Sequence, residues 1–299
     1  YPVLLKASAG GGGKGMKLAN SPAELPSAYQ IASAEARACF GNGDLYLEKY
    51  VTSLRHIEVQ LLRDKFGNTK VLGLRDCTVQ RNNQKVLEES GSTMLPAELK
   101  QQVMDYTRAL ADAVNYTGAG TVEYIFDLDA NTVYFMEMNT RLQVEHPVTE
   151  ATSGIDIVKA QYAIASGKSI EALEPVDRGY AIEVRVTAEM AAHDTTGIQL
   201  IPNPGNIVCC EMPERNDIEI ISIAATGKEV TPYYDSLICK LICQGRDREE
   251  AIKRLQRSLN EFVIEGITTT IDLHKKLLNH EKFITSNFNV GWLDNEKII

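Results

Sequence analysis

The sequence lacks several features that would assign it to a narrow class. Its six cysteines include no CxxC pair, and because disulfide frameworks belong mainly to small secreted chains, we expect reduced thiols buried in the core. No apolar run is long enough to span a bilayer, and the first residues show no signal-peptide pattern. Positive charge is not in excess, since the net charge is −9. This balance argues against a general binder of nucleic acids or anionic membranes.

What remains is an ordinary globular composition. The 299 residues are 44% hydrophobic and 24% charged, which is typical of a soluble protein with one large domain or two. Tyr1 to Lys6 already reads as a strand, with no initiator Met before it, so we expect an N-terminal portion to be missing. Reduced thiols fit a cytoplasmic location. An organelle stays an alternative, because the missing N-terminal portion would carry any targeting signal.

The stretch from Thr132 to Glu150 carries the densest set of polar side chains. Its first half reads as a strand, and period-two alternation would place Val133, Phe135, Glu137 and Asn139 on one face. If the chain stays extended, that face continues through three more polar side chains, which are Arg141, Gln143 and Glu145. Such a set is costly to bury without a ligand.

A second strand, Gly120 to Asp127, precedes a turn at Asp129-Ala130-Asn131. A hairpin centred on Ala130 pairs Asp127 with Val133, Ile125 with Phe135 and Glu123 with Glu137. Directly opposed like charges are destabilising, and a hard divalent cation between them would replace repulsion by coordination. The hairpin therefore predicts a Mg²⁺ or Mn²⁺ site at Glu123 and Glu137, and a solvated strand face is the alternative.

Four consecutive glycines follow the first strand. The loop Ala9 to Gly15 is neither the P-loop pattern nor a Rossmann fingerprint, because the spacing differs and no helix follows. A glycine loop between two strands lets the backbone approach phosphates, so a flap over a nucleotide is one interpretation and a flexible surface turn is the other. Lys6, at the end of the strand that enters the loop, is a candidate phosphate-neutralising cation or an ordinary surface lysine.

Three further stretches have two interpretations each. Leu47 to Val51 is a strand that can read an adenine edge, or it carries a solvated Glu48-Lys49 pair. Gln80 to Lys85 is a polar run that either forms an exposed loop or binds an anion. His56, alone at a strand start, is more often structural than functional.

Together these pieces resemble the biotin carboxylase subunit or domain of the biotin-dependent carboxylases, which are ATP-grasp enzymes. The stretches that carry the resemblance cover nearly the whole chain in order: Lys6 to Met16 (KASAGGGGKGM), Leu47 to Val51 (LEKYV), Arg75 to Glu89 (RDCTVQRNNQKVLEE), Gly120 to Glu123 (GTVE), Glu137 to Glu150 (EMNTRLQVEHPVTE), Glu183 to Glu189 (EVRVTAE) and Pro232 to Ser236 (PYYDS). The chain departs from the family where Asn82 and Asn83 replace basic residues, Thr140 replaces a proline and Tyr180 replaces a histidine.

The resemblance implies an α+β ATP-grasp fold, with a small glycine-loop lid and a larger domain built on an antiparallel sheet. It implies a partial lid subdomain over residues 1–51, a catalytic core over 52–189 and a C-terminal region over 190–299 packed on the core. A Rossmann-like N-terminal subdomain would complete the fold, and it is absent from this sequence.

The resemblance also implies residue roles. ATP would be bound by Lys6, Gly10, Gly11, Gly12, Gly13, Gly15, Glu48, Lys49, Val51, His56 and Gln80. The metal ligands would be Glu123, Glu137 and Asn139. Bicarbonate would be held by Lys85, Arg141, Gln143, Val144 and Glu145. The catalytic groups would be Lys85, Arg141, Glu145, as the base that activates bicarbonate, and Arg185, which would stabilise the biotin enolate.

The implied activity is carboxylation of biotin in two stages. Bicarbonate, deprotonated by Glu145, attacks the γ-phosphate of ATP, and the resulting carboxyphosphate yields CO₂ and phosphate; phosphate deprotonates biotin N1′, and the enolate captures CO₂. The implied cofactors are ATP, Mg²⁺ or Mn²⁺, and biotin on a carrier protein. The implied partners are that carrier, a second copy of the chain and a carboxyltransferase subunit. The alternatives are another ATP-grasp ligase that joins a carboxylate to an amine, and a non-catalytic subunit.

Overall fold

The computed structural model describes residues 1–10, 13–194 and 197–298. The chain divides into two compact units, Tyr1–Leu54 and Arg55–Ile299. Among the described residues, no helix is both long and apolar enough to cross a membrane. Cys77, Cys239 and Cys243 are buried as expected, Cys209 and Cys210 are only half-buried, and Cys39 is exposed, so the expectation is wrong there.

The first unit is a three-stranded sheet with one helix. It consists of β1 (Val3–Ala7), β2 (Met16–Ala19), α1 (Leu25–Phe40) and β3 (Leu45–Lys49), in the order β2-β1-β3 with both pairings antiparallel. The helix packs its alanines on the sheet, where Ala28 and Ala32 join Leu5 and Ala19 in a small core. The two predicted strands that flank the glycine loop are therefore present, and Gly11 and Gly12 of the loop lie outside the described residues.

The glycine loop closes tightly at its second end. Gly15 has φ +69°, a left-handed conformation that glycine adopts without strain. A Cβ there would lie 2.8 Å from the Ala7 Cβ and 3.2 Å from the Ala36 Cβ. The close approach of β1 and α1 to this point therefore requires glycine at position 15.

The second unit is built on one large sheet. Its elements are β4 (Leu54–Arg63), β5 (Thr69–Arg81), β6 (Gln84–Ser90), α2 (Ala97–Ala113), β7 (Gly118–Asp127), β8 (Thr132–Asn139), α3 (His146–Ser153), α4 (Ile157–Ala165), β9 (Tyr180–Thr187), β10 (Glu189–Asp194), β11 (Gly197–Pro202), β12 (Gly205–Asn206), β13 (Cys209–Glu211), β14 (Ile218–Ser222), β15 (Glu229–Val230), β16 (Leu237–Gly245), α5 (Arg248–Glu261), β17 (Val263–Glu265), α6 (Ile271–Asn279), α7 (Glu281–Ile284) and α8 (Trp292–Asn295).

Eight of these strands form the sheet, in the order β14-β16-β9-β6-β5-β4-β7-β8. The first six run antiparallel to their neighbours, as do β7 and β8. Strands from residues beyond 190 thus continue the same sheet as β4 to β9. One face of β9 packs Ile182, Val184 and Val186 into the largest apolar core, which leaves Glu183 and Arg185 on the opposite face because side chains alternate.

The β7–β8 hairpin pairs Glu123 with Glu137, as predicted, but the pairs nearer its turn are shifted. Tyr124 faces Phe135 and Asp127 faces Thr132, because a β-bulge lies between the Glu123 and Tyr124 pairs. The extra residue of a bulge reverses the side-chain alternation beyond it. The predicted single face is therefore wrong: Val133 packs with the apolar core beside α2, while Glu137 lies opposite Glu123.

The chain does not stay extended after Asn139, so the predicted continuation of that face is wrong. Residues 140–145 form a turn and Glu145 occupies the N-cap of α3. Pro147 is tolerated in the first turn of this helix because its missing N–H has no partner there. The turn rather than a strand is what brings Gln143 and Glu145 back toward the sheet.

The polar run between β5 and β6 is a tight two-residue hairpin turn, not an extended loop. Asn82 and Asn83, at its centre, have φ values of 51° and 61°. Two-residue hairpins with positive φ at both central positions favour asparagine and glycine. The backbone therefore accounts for this Asn-Asn pair. Gln80 and Arg81, before the turn, are buried.

Candidate active site

Charged and polar side chains gather on the face of the large sheet that does not carry the main apolar core. They come from adjacent strands: His56 and Glu58 from β4, Gln80 from β5, Lys85 and Glu88 from β6, Glu123 from β7, and Glu183 and Arg185 from β9. The turn before α3 adds Gln143 and Glu145. Because neighbouring strands lie about 4.8 Å apart, this placement brings the charges within contact distance.

Lys85 lies at the centre of the cluster. Its ammonium contacts the carboxylates of Glu58 and Glu145 and lies 3.5 Å from Glu123 Oε1. Burial alone would lower the pKa of Lys85, but Cys77 and the three carboxylates raise it above the ordinary value. Lys85 is therefore a permanent cation, placed beside the predicted base and the predicted metal ligand.

His56 bridges two carboxylates. Its Nε2 lies 3.1 Å from Glu123 Oε2 and 3.4 Å from Glu58 Oε1, and its Nδ1 lies 2.7 Å from Gln80 Nε2. Burial raises the pKa of Glu123, but the hydrogen bond and charge of His56 and the charge of Lys85 lower it to about 2. The single ligand atoms of His56, Glu58 and Glu123 lie close enough together to hold one metal ion.

The predicted metal ligands are brought together at the end of β8. Asn139 Nδ2 donates to Glu123 Oε1 at 2.9 Å and to Glu137 Oε1 at 3.4 Å, so the amide bridges the opposed carboxylates. Carboxylate oxygens with an amide oxygen nearby suit Mg²⁺ or Mn²⁺. The chemistry of the three side chains fits such an ion.

Arg75, on β5, makes hydrogen bonds to several residues of the cluster, and the sequence analysis did not identify it. Its side chain is fully buried. The guanidinium donates to Glu58 Oε2 at 3.0 Å, to Gln60 Oε1 at 2.8 Å and to Gln143 Oε1 at 2.9 Å. It also donates to Thr121 and Thr149. One arginine thereby orients a carboxylate of the cluster and an amide predicted to hold bicarbonate.

Gln143 and Val144 are fixed by contacts on both sides. With its oxygen bound to Arg75, Gln143 donates from Nε2 to Glu123 Oε1 at 2.8 Å. The carbonyl of Val144 accepts a hydrogen bond of 2.8 Å from Lys240 Nζ on β16, another residue that sequence reasoning missed. The turn that carries the predicted bicarbonate ligands is therefore anchored to three strands of the sheet, β5, β7 and β16.

Glu145 is buried between two cations. One carboxylate oxygen contacts Lys85 and the other accepts from Arg185 Nη2 at 3.0 Å. Arg185 also donates from Nε to Glu88 Oε1 at 2.6 Å. Arg141 is the exception among the predicted side chains of the turn: it is exposed and donates to Asn139 Oδ1 at 3.3 Å.

In the first unit, Lys6 Nζ lies 3.2 Å from Glu48 Oε1 and above the Tyr46 ring. Burial lowers the pKa of Lys6, but the hydrogen bond and charge of Glu48 raise it above the ordinary value. Lys49 is exposed, whereas Val51 is buried. Gly10 and Gly13 are exposed in the loop after β1.

The missed residues share one signal in the sequence. Glu58, Glu88 and Lys240 are charged residues that directly follow an apolar residue inside a strand. A charge in such a position requires a partner when it is buried. Strand periodicity places Glu58 on the same face as His56, two residues earlier. Only the order of the strands, which the sequence does not reveal, shows which partner each charge meets.

Two family models match the chain. The model described as the ATP-binding domain of the carbamoyl-phosphate synthase L chain matches residues 1–173. The model described as the biotin carboxylase C-terminal domain matches residues 183–295. The two matches together account for both compact units.

Relatives of this chain carry consistent names. Biotin carboxylase 1 of Bacillus subtilis is 48% identical over 98% of this chain and 65% of its own length. A biotin carboxylase of Pseudomonas aeruginosa is 40% identical over 98% of the chain and 64% of its length. The chain thus spans less than two thirds of the length of these curated relatives.

A solved structure of a biotin carboxylase–β,γ-ATP complex from Campylobacter jejuni superposes with a TM-score of 0.92 at 39% identity, covering 99% of this chain and 65% of the other. The biotin carboxylase domain of Hydrogenobacter thermophilus 2-oxoglutarate carboxylase, a dimer with MgADP, ADP and bicarbonate, superposes with a TM-score of 0.89 at 41% identity, covering 98% and 64%. The fold is that of the ATP-grasp proteins, as predicted. Within that class, the chain belongs to the biotin carboxylase family.

Proposed function

We propose that the protein uses ATP and bicarbonate to carboxylate biotin on a carrier protein. The observation that carries the proposal is the placement of Glu145, a buried carboxylate held between Lys85 and Arg185. A base that takes a proton from bicarbonate and a cation that stabilises a biotin enolate are needed within reach of each other. Here they are in direct contact on one face of the sheet.

Nucleotide-binding residues are proposed for each unit separately. In the first unit, Lys6 and the glycine loop Gly10, Gly11, Gly12, Gly13 and Gly15 would neutralise and cover phosphates, while Glu48, Lys49 and Val51 would meet the base. In the second unit, His56 and Gln80 would contribute. This assignment rests on the family relationship and on chemistry: backbone N–H groups of glycines suit phosphate oxygens.

The divalent ion would be held by Glu123, Glu137 and Asn139. When bound, Mg²⁺ or Mn²⁺ would neutralise the charge that develops on the transferred phosphoryl group. The protein's own part is to hold two opposed carboxylates in register across β7 and β8. Glu123 stays ionised over the whole working range because its pKa is held at about 2.

Bicarbonate would lie beside Lys85, Arg141, Gln143, Val144 and Glu145. Lys85 supplies a fixed positive charge, Gln143 presents an amide whose orientation Arg75 fixes, and Glu145 accepts the proton. Arg185 then faces the ureido oxygen of biotin, where negative charge develops as N1′ loses its proton. Groups fixed before reaction stabilise such charge at no reorganisation cost.

The wider assignments are also proposals. We propose a partial lid subdomain over residues 1–51, a catalytic core over 52–189 and a C-terminal region over 190–299. The partners would be a biotin carboxyl carrier protein or domain, a second copy of the chain and a carboxyltransferase subunit. The proposed compartment is the cytoplasm; relatives in Populus trichocarpa and Arabidopsis thaliana are named as chloroplastic.

The proposal is tested by ATP cleavage in the full-length protein. We expect cleavage to require bicarbonate and to rise when free biotin is added. Stimulation by an amine-bearing acceptor instead of biotin would assign the protein to the carboxylate–amine ligases. Absence of any bicarbonate-dependent cleavage would indicate a non-catalytic subunit.

Replacing Glu137 with glutamine is expected to raise the Mg²⁺ concentration needed for half-maximal ATP cleavage by about tenfold or more, since even indirect metal contacts are worth about 10- to 100-fold in affinity. The fold should be retained because Glu137 lies near the open end of the hairpin and is not buried. Asp129→Asn, in the turn of the same hairpin, is the matched control. Metal titrations that superpose for Glu137→Gln and the wild type would refute the assignment.

A further inference from the structure

Glu183 is a buried carboxylate to which the described residues offer no hydrogen bond. Its side chain is fully buried, and neither of its oxygens has a partner among the residues that the structure describes. The Oε2 atom of Glu88 is in the same situation. An ionised carboxylate in such surroundings is costly, and a buried acid normally becomes neutral instead.

The neighbour of Glu183 is another buried acid. Glu88 on β6 stands directly opposite Glu183 on β9, and directly opposed residues hold their Cβ atoms about 4.5–5.5 Å apart. Both lie on the face that carries Arg185, because Ile182 and Val184 point into the apolar core. Two carboxyl groups at this separation do not both ionise without cations to match.

The nearby cations are already engaged. Arg185 donates to Glu88 at 2.6 Å and to Glu145 at 3.0 Å. Lys240, opposite Arg185 on β16, donates to the Val144 carbonyl at 2.8 Å. Glu183 is thus the one acid of this group without a donor, and Glu88 is the acid that holds the ionic contact.

We propose that Glu183 carries a proton at neutral pH while Glu88 is ionised, and that this neutral acid leaves the positive charge of Arg185 available to the substrate. The second half of this inference rests on the proposed biotin carboxylase function. The first half does not, because it concerns only the protonation of the folded chain. Glu183 is on this account a positioning residue that acts through Arg185.

The charges around Glu183 support this assignment. Burial and the charge of Glu88 raise the pKa of Glu183 well above its usual value, while Lys240 and Arg185 oppose the shift and Glu145 adds to it. The titratable groups of α3, the helix against this face, are His146 and Glu150. They are bound to the Gln143 carbonyl and the Ile157 N–H respectively. Burial and the charge of Glu145 raise the pKa of Glu88 as well, but the charge and hydrogen bond of Arg185 and the charge of Lys85 oppose that shift.

An ionised Glu183 would add a third negative charge beside Arg185, which already contacts Glu88 and Glu145. The positive potential that Arg185 presents to a developing enolate would fall, whereas ATP cleavage before the enolate forms would respond less. Loss of the proton from Glu183 would therefore appear as a fall in the rate of biotin carboxylation at high pH, which is the basic limb of its pH profile.

The deciding experiment measures the unfolding equilibrium of the full-length protein and of Glu183→Gln across pH. Above a pH of about 4.3 the unfolded chain loses this proton while the folded chain keeps it. An acid whose pKa is raised by folding therefore contributes less to the free energy of unfolding as pH rises from the pKa of the unfolded chain to that of the folded chain. The unfolding constant of the wild type should rise about tenfold per pH unit relative to the variant, until the raised pKa is reached. Unfolding curves that stay parallel across pH would overturn the proposal, whatever the protein's activity.

Glu89→Gln is the matched control, because Glu89 is also buried on β6 but pairs with Arg248 at 2.5 Å and accepts from Tyr180 at 2.9 Å. Near neutral pH this variant should unfold more readily by a margin that does not change with pH, since it leaves Arg248 without its carboxylate. Infrared spectra of the wild type with carboxyl-labelled glutamate give an independent reading if Glu183→Gln folds poorly. A protonated-acid carbonyl band at neutral pH that shifts with the label supports the proposal, and its absence overturns it.

The link to Arg185 is tested by the pH profile of carboxybiotin formation. We expect the basic limb to move to higher pH in Glu183→Gln, while the limb of biotin-independent ATP cleavage stays in place. If the basic limbs of the wild type and Glu183→Gln coincide while their unfolding curves differ as expected, the link between Glu183 and Arg185 is overturned. The proposed function is then left intact. A protein that never carboxylates biotin would refute the proposed function, and the unfolding data would still decide the protonation of Glu183.

Discussion

Replacing Arg185 with alanine is expected to slow carboxybiotin formation by about 10²–10³, the usual cost of removing one preorganised donor from a developing oxyanion. Biotin-independent ATP cleavage with bicarbonate should fall far less, because carboxyphosphate forms before the enolate exists. The two activities are measured in the same full-length preparation, so the ratio of the two losses is independent of protein concentration.

The contacts of Arg185 with two carboxylates affect how this result is interpreted. Arg185 also contacts Glu145 and Glu88, so alanine removes a neighbour of the base as well as a cation. Arg185→Lys keeps the positive charge but lacks the planar guanidinium group. Relative to Arg185→Ala, it should restore more of the lost ATP cleavage than of the lost carboxylation. Arg257→Ala, an exposed arginine of α5, is the surface control. Equal losses of both activities in Arg185→Ala would place its role in phosphoryl transfer or folding.

Replacing Glu145 with glutamine is expected to reduce bicarbonate-dependent ATP cleavage by about 10²–10⁴, the range in which a general base contributes. Glutamine keeps the shape of the side chain but accepts no proton at working pH. Carboxybiotin formation should fall by at least the same factor, since it depends on carboxyphosphate. The comparison with Arg185→Ala thereby separates the two stages of the reaction.

The control for this variant is Glu174→Gln, an exposed residue that meets Lys70 at the surface. It should retain wild-type rates. Retention of bicarbonate-dependent cleavage in Glu145→Gln would assign the proton transfer to another group. Nucleotide binding is measured separately, so that a loss of ATP cleavage caused by a disturbed fold in Glu145→Gln can be recognised.

Local patterns in the sequence were enough to predict the parts of the fold that depend on neighbouring residues. Alternation and the Asp129-Ala130-Asn131 turn predicted the β7–β8 hairpin, and the opposed pair Glu123 and Glu137 is confirmed. The two predicted strands on either side of the glycine loop are also present. In both cases the interacting residues are close together in the sequence.

The errors arise where one residue changes the geometry of those that follow. A single bulge shifted the pairs near the hairpin turn, and the turn after Asn139 replaced the predicted extended segment. The apolar pattern of β8 is compatible with either register, so the sequence does not indicate the bulge.

Arg75 and Lys240 could not be predicted for a different reason. Arg75 meets Gln143, which lies 68 positions away, and Lys240 meets Val144, which lies 96 positions away. Nothing local indicates that β5 and β16 flank the same turn. The family resemblance supplied the proposed site residues, and the three-dimensional structure shows the residues that contact them.

The most direct test of the central claim follows isotope-labelled bicarbonate in the full-length protein with ATP, Mg²⁺ and free biotin or its carrier. The account predicts label in carboxybiotin, formed only when ATP and bicarbonate are both present and lost in Glu145→Gln. Bicarbonate-dependent ATP cleavage with no label on biotin, or with label transferred to an amine instead, would contradict it.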